Sequence, residues 1–339
     1  MPIANTWLDQ IIEPALEPEL PIVDPHHHLW DYSTGRYLAE ELLADTGSGH
    51  NVVATVFVEC GSMYRPHGPD GLRPVGETEF VQALAKQTTA KRSSADAGTS
   101  QTRIAAGIVG HADLLLGAQV REVLEAHLAA SPDRFRGIRH AAGWHESDEI
   151  RNSHGNPPAG LLLDKRFRSG FAELQPLGLT FDAWLYHPQL AELADLARTF
   201  PQTTIVLDHF GGPLGMGPYA GKGDAVFAAW RESIGEVAAC PNVVAKLGGL
   251  NMAVNGFGWH KRELPPTSQE LAAATQRYFV YAIERFGVQR CMFESNFPVD
   301  KVSCSYGVVW NAFKRIAAKF SPAEKAALFH DTATRVYRL

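Results

Sequence analysis

The sequence predicts an α/β protein of the (β/α)8 TIM-barrel class, a single domain with an N-terminal arm and loops over the barrel mouth. Three observations carry that reading. Eight short runs rich in β-forming residues recur through the 339 residues. Most are followed by a segment whose apolar residues fall on one helical face, and the glycine-rich G-x-G-x-x-G turn of a doubly wound sheet is missing after the first run. Strands that alternate with helices pair in parallel through crossovers, and eight such units match the number that closes a barrel.

Residues 1–20, with Pro2, Pro14 and Pro18, read as the arm, and residues 21–339 as the barrel. The strand runs are Pro21–His28, Val52–Cys60, Arg103–Gly110 and Phe135–His140, then Leu179–Tyr186, Thr203–His209, Asn242–Leu250 and Arg290–Phe297. Helical spacing shows in Leu190, Leu193, Ala194, Ala197 and Phe200, and again in Val309, Phe313, Ile316, Ala317 and Phe320. Two stretches break the regularity, Gly47–Gly76 and His145–Gly160, and are expected as mouth loops.

The composition narrows the function classes. An apolar share of 45%, a charged share of 20% and a net charge of −6 describe an ordinary globular protein without the basic footprint of a nucleic-acid binder. No apolar run is long enough to cross a bilayer, and the first residues lack a basic segment followed by an apolar one. Four scattered cysteines, Cys60, Cys240, Cys291 and Cys304, read as reduced thiols. The expectation is a cytoplasmic protein with a small-molecule substrate and neither nucleic acid nor membrane as partner.

In such a barrel the chemistry sits at the C-terminal ends of the strands. The first run ends PIVDPHHHLWD, and alternation puts His26 and His28 on one face with His27 on the other. Two imidazoles so placed can hold a divalent metal or polarise a carbonyl, yet two residues alone do not define a metal site. The fourth run brings Arg139 and His140 to its end, where the guanidinium can bind a substrate carboxylate or pair with a carboxylate of the barrel; substrate binding is favoured. The fifth leads into Trp184, Tyr186 and His187, a pocket wall for a ring-shaped ligand or a set of core aromatics. The sixth, TTIVLDHFGGP, supplies Asp208 and His209.

The seventh run places Lys246 among apolar residues, where it needs a partner. Glu59 and Glu294, at the ends of the second and eighth runs, are the expected ones, in either a structural or a catalytic pair. The eighth ends CMFESNFPVD, with Glu294 and Asn296 on one face. A carboxylate there can take a proton from water; a primary amide cannot.

From about Pro21 to Leu339 the chain resembles the amidohydrolase superfamily, in the branch of sugar-acid lactonases and 2-pyrone-4,6-dicarboxylate lactonase. The residues that carry the resemblance are VDPHHHLW, FRGIRH, LDHFGGP, VVAKLGGL, FESNFPVD and the closing FHDTATRVYRL. It implies hydrolysis of a lactone, with His26, His28 and His209 as imidazoles that act with a divalent ion such as Zn2+ or without any metal, and Arg139 near a substrate carboxylate. The pattern departs at Asn296, because the family usually shows Gly-Ser-Asp-Trp-Pro where this chain reads Glu294-Ser295-Asn296-Phe297-Pro298.

Glu294 is accordingly expected to take the proton, with Asn296 orienting the water or the carbonyl. The expected function is a lactonase opening a small anionic cyclic ester, in which His26, His28, His209, Glu294 and Asn296 are catalytic. Arg139, His140, Trp184, His187, Lys246 and Glu59 are expected to bind substrate. The alternatives are a metal-dependent decarboxylase or C–C hydrolase of a small aromatic acid, and a ligand-binding barrel without catalysis.

Overall fold

The computed structural model describes residues 6–33, 35–93 and 102–339; the first five residues of the expected arm lie outside them. Eight parallel strands form the barrel in sequence order: β1 (Ile22–His27), β2 (Val52–Val58), β3 (Arg103–Gly110), β4 (Phe135–Arg139), β5 (Thr180–Ala183), β6 (Ile205–Leu207), β7 (Val243–Leu247) and β8 (Cys291–Phe293). Each falls within its expected run. The two apolar stripes lie on helices Leu190–Thr199 and Tyr306–Ile316 and run just past their ends, at Phe200 and at Ala317 and Phe320.

The barrel closes beyond the end of β8. A bridge pairs His27 with Phe297, the Asn296 amide donates to the His26 carbonyl over 3.0 Å, and the His28 amide donates to the Phe297 carbonyl over 2.8 Å. The seam is thus made by the residues that follow the eighth strand.

Alternation sets what fills the interior. Val206, Val244 and Met292 form one apolar cluster inside the barrel with Val23, Val56 and Val58, joined by Val336 and Tyr337 of the C-terminal helix Thr332–Tyr337. Two residues further along the same strands stand Asp208, Lys246 and Glu294, so an apolar floor gives way in one step to a charged layer. Outside the strands, Phe57, Ile108, Ile138, Phe181 and Leu207 pack against the helical ring.

The arm is fastened by polar contacts. Glu13 accepts from the Ser268 amide over 2.7 Å, and Lys314 donates to the carbonyls of Leu16 and Glu17 over 2.7 and 2.9 Å. Among the described residues no helix is long and apolar enough to cross a membrane, and the four cysteines carry free thiols.

Candidate active site

Hydrogen-bond roles can be assigned across the histidine pair. His28 Nδ1 lies 2.8 Å from the Val58 carbonyl oxygen; a carbonyl only accepts, so Nδ1 carries the hydrogen and Nε2 a lone pair. That lone pair faces His26 Nε2 at 3.3 Å. On its other side, His26 Nδ1 lies 3.2 Å from Lys246 Nζ, which only donates. Nearer than Lys246, at 2.8 Å, the same Nδ1 faces Glu294 Oε2, which only accepts, so His26 carries its hydrogen on Nδ1 and turns the Nε2 lone pair toward that of His28, while His28 donates to Val58. Burial lowers the pKa of both rings, Lys246 lowers His26 further and His26 lowers His28, so both are neutral.

Glu294 stands between two imidazoles. Its Oε2 is 2.8 Å from His26 Nδ1, and its Oε1 is 2.7 Å from His209 Nδ1 and 3.2 Å from the His209 amide. Burial would raise this carboxyl, but His209 and His26 outweigh it and hold the group down at about 2. His209 therefore donates from Nδ1 and keeps the lone pair on Nε2. Its backbone is left-handed, with φ 53°, as is that of Phe210, with φ 58°. Such conformations store local strain and are held here by tertiary anchors. The Trp230 indole donates to the Phe210 carbonyl over 2.7 Å, and Trp184 packs edge-on against the His209 ring at 4.9 Å.

The Gly-Gly pair after β7 is what lets these groups approach. A Cβ on Gly249, which has φ +67°, would fall 2.3 Å from His209 Nδ1, and one on Gly248 would fall 2.5 Å from Glu294 Cγ. No other residue type fits both positions.

Lys246 corrects one expectation. Its partners are Asp182 at 2.6 Å and Asp208 at 3.1 Å, and neither Glu59 nor Glu294 closes the pair. Register explains this: Val206 pairs with Val244, so Asp208 and Lys246 stand side by side two residues on. Burial alone would lower the ammonium, but Asp182 and Asp208 raise it above its ordinary value. Despite burial, Lys246 and His26 keep Asp208 ionised.

Arg139 is likewise engaged within the barrel. Its Nε donates to Glu59 Oε1 over 2.7 Å and Nη2 to the Glu59 carbonyl over 2.5 Å, with Asp208 at 3.6 Å. The guanidinium expected to receive a substrate carboxylate is thus paired with Glu59, the barrel carboxylate of the alternative reading. Glu59 is also met by His154, from the mouth loop, at 2.8 and 3.0 Å.

The remaining expected residues divide. Asn296, with φ 56°, donates its side-chain amide to Asp300 Oδ1 over 2.9 Å. His140 accepts the Leu114 amide and packs on Phe167, between the barrel and the helical ring. His187 accepts the Leu214 amide and packs on Tyr219. Sequence reasoning placed Asp208 at the end of the sixth run without giving it a role, and missed Asp182, His154 and Asp300 as members of this network. Counting two residues on from Val206 and Val244 would have set Asp208 beside Lys246, whereas His154 reaches the site through a loop that no periodicity describes.

A metal can be tested against these residues. His26, His209 and Glu294 offer ligand atoms that all lie within 4.8 Å of one another; His28 stands beside this set, against His26. Two permanent cations, Arg139 and Lys246, face four buried carboxyls, Glu59, Asp182, Asp208 and Glu294. Both Asp208 oxygens lack an aligned hydrogen bond. A divalent cation fits that surplus of negative charge and unsatisfied oxygen.

Residues 23–339 match the family model described as amidohydrolase. The chain belongs to the amidohydrolase family. Among curated relatives, it is 33% identical over 343 residues to the uncharacterized protein y4mH of Sinorhizobium fredii, covering 95% of this chain and 99% of that one. It is 29% identical to an L-fucono-1,5-lactonase of Burkholderia multivorans, covering 94% and 96% of the two chains. A crystal structure of an amidohydrolase from Burkholderia multivorans with bound zinc superposes with a TM-score of 0.70 at 26% identity, over 94% of this chain and 99% of that one. This amidohydrolase is therefore a hydrolase on a (β/α)8 barrel.

Proposed function

We propose that this amidohydrolase is a lactonase that opens a small cyclic ester by attack of water. The observation that carries the reading is the His209–Glu294 pair beside His26 and His28. Glu294 fixes His209 as the tautomer whose Nε2 is free to accept a proton, the arrangement by which a carboxylate orients an imidazole base. A carboxyl held near 2 is itself a poor proton acceptor, so the base assigned is His209 and Glu294 positions it. His209 Nε2 takes the proton of the attacking water. The proton then passes from His209 to the leaving alkoxide.

Relatives named as L-fucono-1,5-lactonases support a sugar-acid lactone as the substrate class. Arg139 gives no reason for a carboxylate on it, since Glu59 occupies that guanidinium. If a divalent ion such as zinc is bound, His26, His209 and Glu294 would hold it, and it would supply polarisation of the carbonyl and a more acidic water. Free thiols suit a cytoplasmic setting.

The test is a panel of sugar-acid and dicarboxylate lactones followed by acid release, with wild type and His209→Asn. Turnover that falls at least about a thousandfold in the variant, as for loss of a triad base, supports the reading. No turnover of any lactone, or release of carbon dioxide from an aromatic acid instead, overturns it.

A further inference from the structure

Outside the histidine centre, a cleft of about 380 Å³ opens between the loop after β4, the loop after β5 and the start of helix Gly223–Ala238. Its volume lies in the range of small-molecule sites. His145, Glu146, His187, Tyr219 and Lys222 line it, and none of the residues around His26 does.

The hydrogen positions in this cleft are fixed by the backbone. The Leu214 amide donates to His187 Nδ1 over 3.3 Å, so the hydrogen of the neutral ring sits on Nε2. His187 is 5% exposed, and among the described residues nothing in the protein accepts from that Nε2–H. In the same way, the Ser147 amide donates to His145 Nδ1 over 3.0 Å, and His145 Nε2–H donates to the Tyr219 hydroxyl over 3.2 Å. With its oxygen already accepting, the Tyr219 O–H is left to donate.

A third set of donors comes from the helix. Lys222 is its N-cap and supplies no side-chain cap, and among the described residues no acceptor takes the amides of Gly223, Asp224 and Ala225. Lys222 and Ala225, which flank these amides, line the cleft. A helix start with free amides carries partial positive charge, and the lysine ammonium adds a full one.

We propose that this cleft is a binding site for an oxyanion, the phosphate or carboxylate group of a small molecule, separate from the hydrolytic centre. His187 Nε2–H is its buried donor and the half-buried Tyr219 hydroxyl a second, with Lys222 and the helix start its positive wall. Glu146 is the one carboxylate of the lining and lies exposed at the lip. It disfavours the anion and so provides a variant of opposite sign. Burial and nearby His145 hold the His187 pKa down at about 4, so the donor stays a neutral N–H at physiological pH and needs no protonation to act.

Calorimetric titration of the full chain with inorganic phosphate, and separately with acetate, at constant ionic strength tests this. One site is expected, weakened at least about tenfold by Lys222→Glu, weakened by Tyr219→Phe and tightened by Glu146→Gln, with binding retained in His209→Asn. Phosphate alone, or acetate as well, upholds the site and tells which oxyanion it takes. Absence of binding for both anions, affinity indifferent to Lys222→Glu in a folded variant, or binding lost with His209→Asn overturns the proposal. The last result would put the anion in the histidine centre.

Discussion

Glu294 Oε1 lies 2.7 Å from His209 Nδ1, and the same carboxylate reaches His26 with its other oxygen. The pair fixes which nitrogen of His209 faces the reaction. Glu294→Gln would replace the oxygen facing one imidazole by an amide donor and release the wrong tautomer. The expected outcome is a fall in kcat of about a hundredfold to ten-thousandfold, by analogy with removal of the orienting carboxylate from a triad, with circular dichroism unchanged. Near-wild-type kcat would show that His209 needs no orientation.

Gly249 sets the space for that imidazole. Gly249→Ala combines a 2.3 Å clash with His209 Nδ1 and an alanine at φ +67°. Activity should drop by more than about a hundredfold, since an ångström of misplacement is enough for that. Stability should fall by about 1–3 kcal/mol, read from urea midpoints.

Lys246 neutralises the carboxylates beneath the histidines. Lys246→Met leaves Asp182 and Asp208 buried without their cation, and should cost about 3–5 kcal/mol. Adding Asp182→Asn to the same variant should recover part of the loss. Equal urea midpoints for the single and double variants would reject the pairing as the source of the cost.

Asp300 predicts a pH dependence. Burial pushes its carboxyl up to about 7 from an ordinary 3.8, against the lowering influence of His209 and the Asn296 amide. Below about pH 4 the folded and unfolded chains both hold the proton, and the group contributes no difference. From 4 to 7 the folded chain retains a proton that the unfolded chain has released, so this group makes stability fall as pH rises. Above 7 the loss is complete. Asp300→Asn should flatten that part of the profile, measured as the difference between variant and wild-type urea midpoints across the window. Parallel profiles would disprove it.

Much of this was legible before any coordinates. Periodicity is a local property, and it placed all eight strands and put His26 and His28 on one face. It was silent on who pairs with whom across the interior. Lys246 had two plausible glutamates on paper, but strand register brings Asp208 beside it and Asp182 within 2.6 Å. Arg139 read as a ligand for substrate in preference to the barrel, and only the meeting of β2 and β4 with the loop carrying His154 decides for Glu59. Asn296 marked a departure at the right position, but its side-chain contact with Asp300 depends on a turn that alternation cannot describe.

The seam that joins His26 and His28 to Asn296 and Phe297 makes the molecule's last closure and its reactive centre one object. Opening there would part the first strand from the eighth while the other seven interfaces stayed paired. Catalysis would then vanish at milder denaturant than helical signal, and turnover would report on the integrity of the ring rather than on the amount of folded chain.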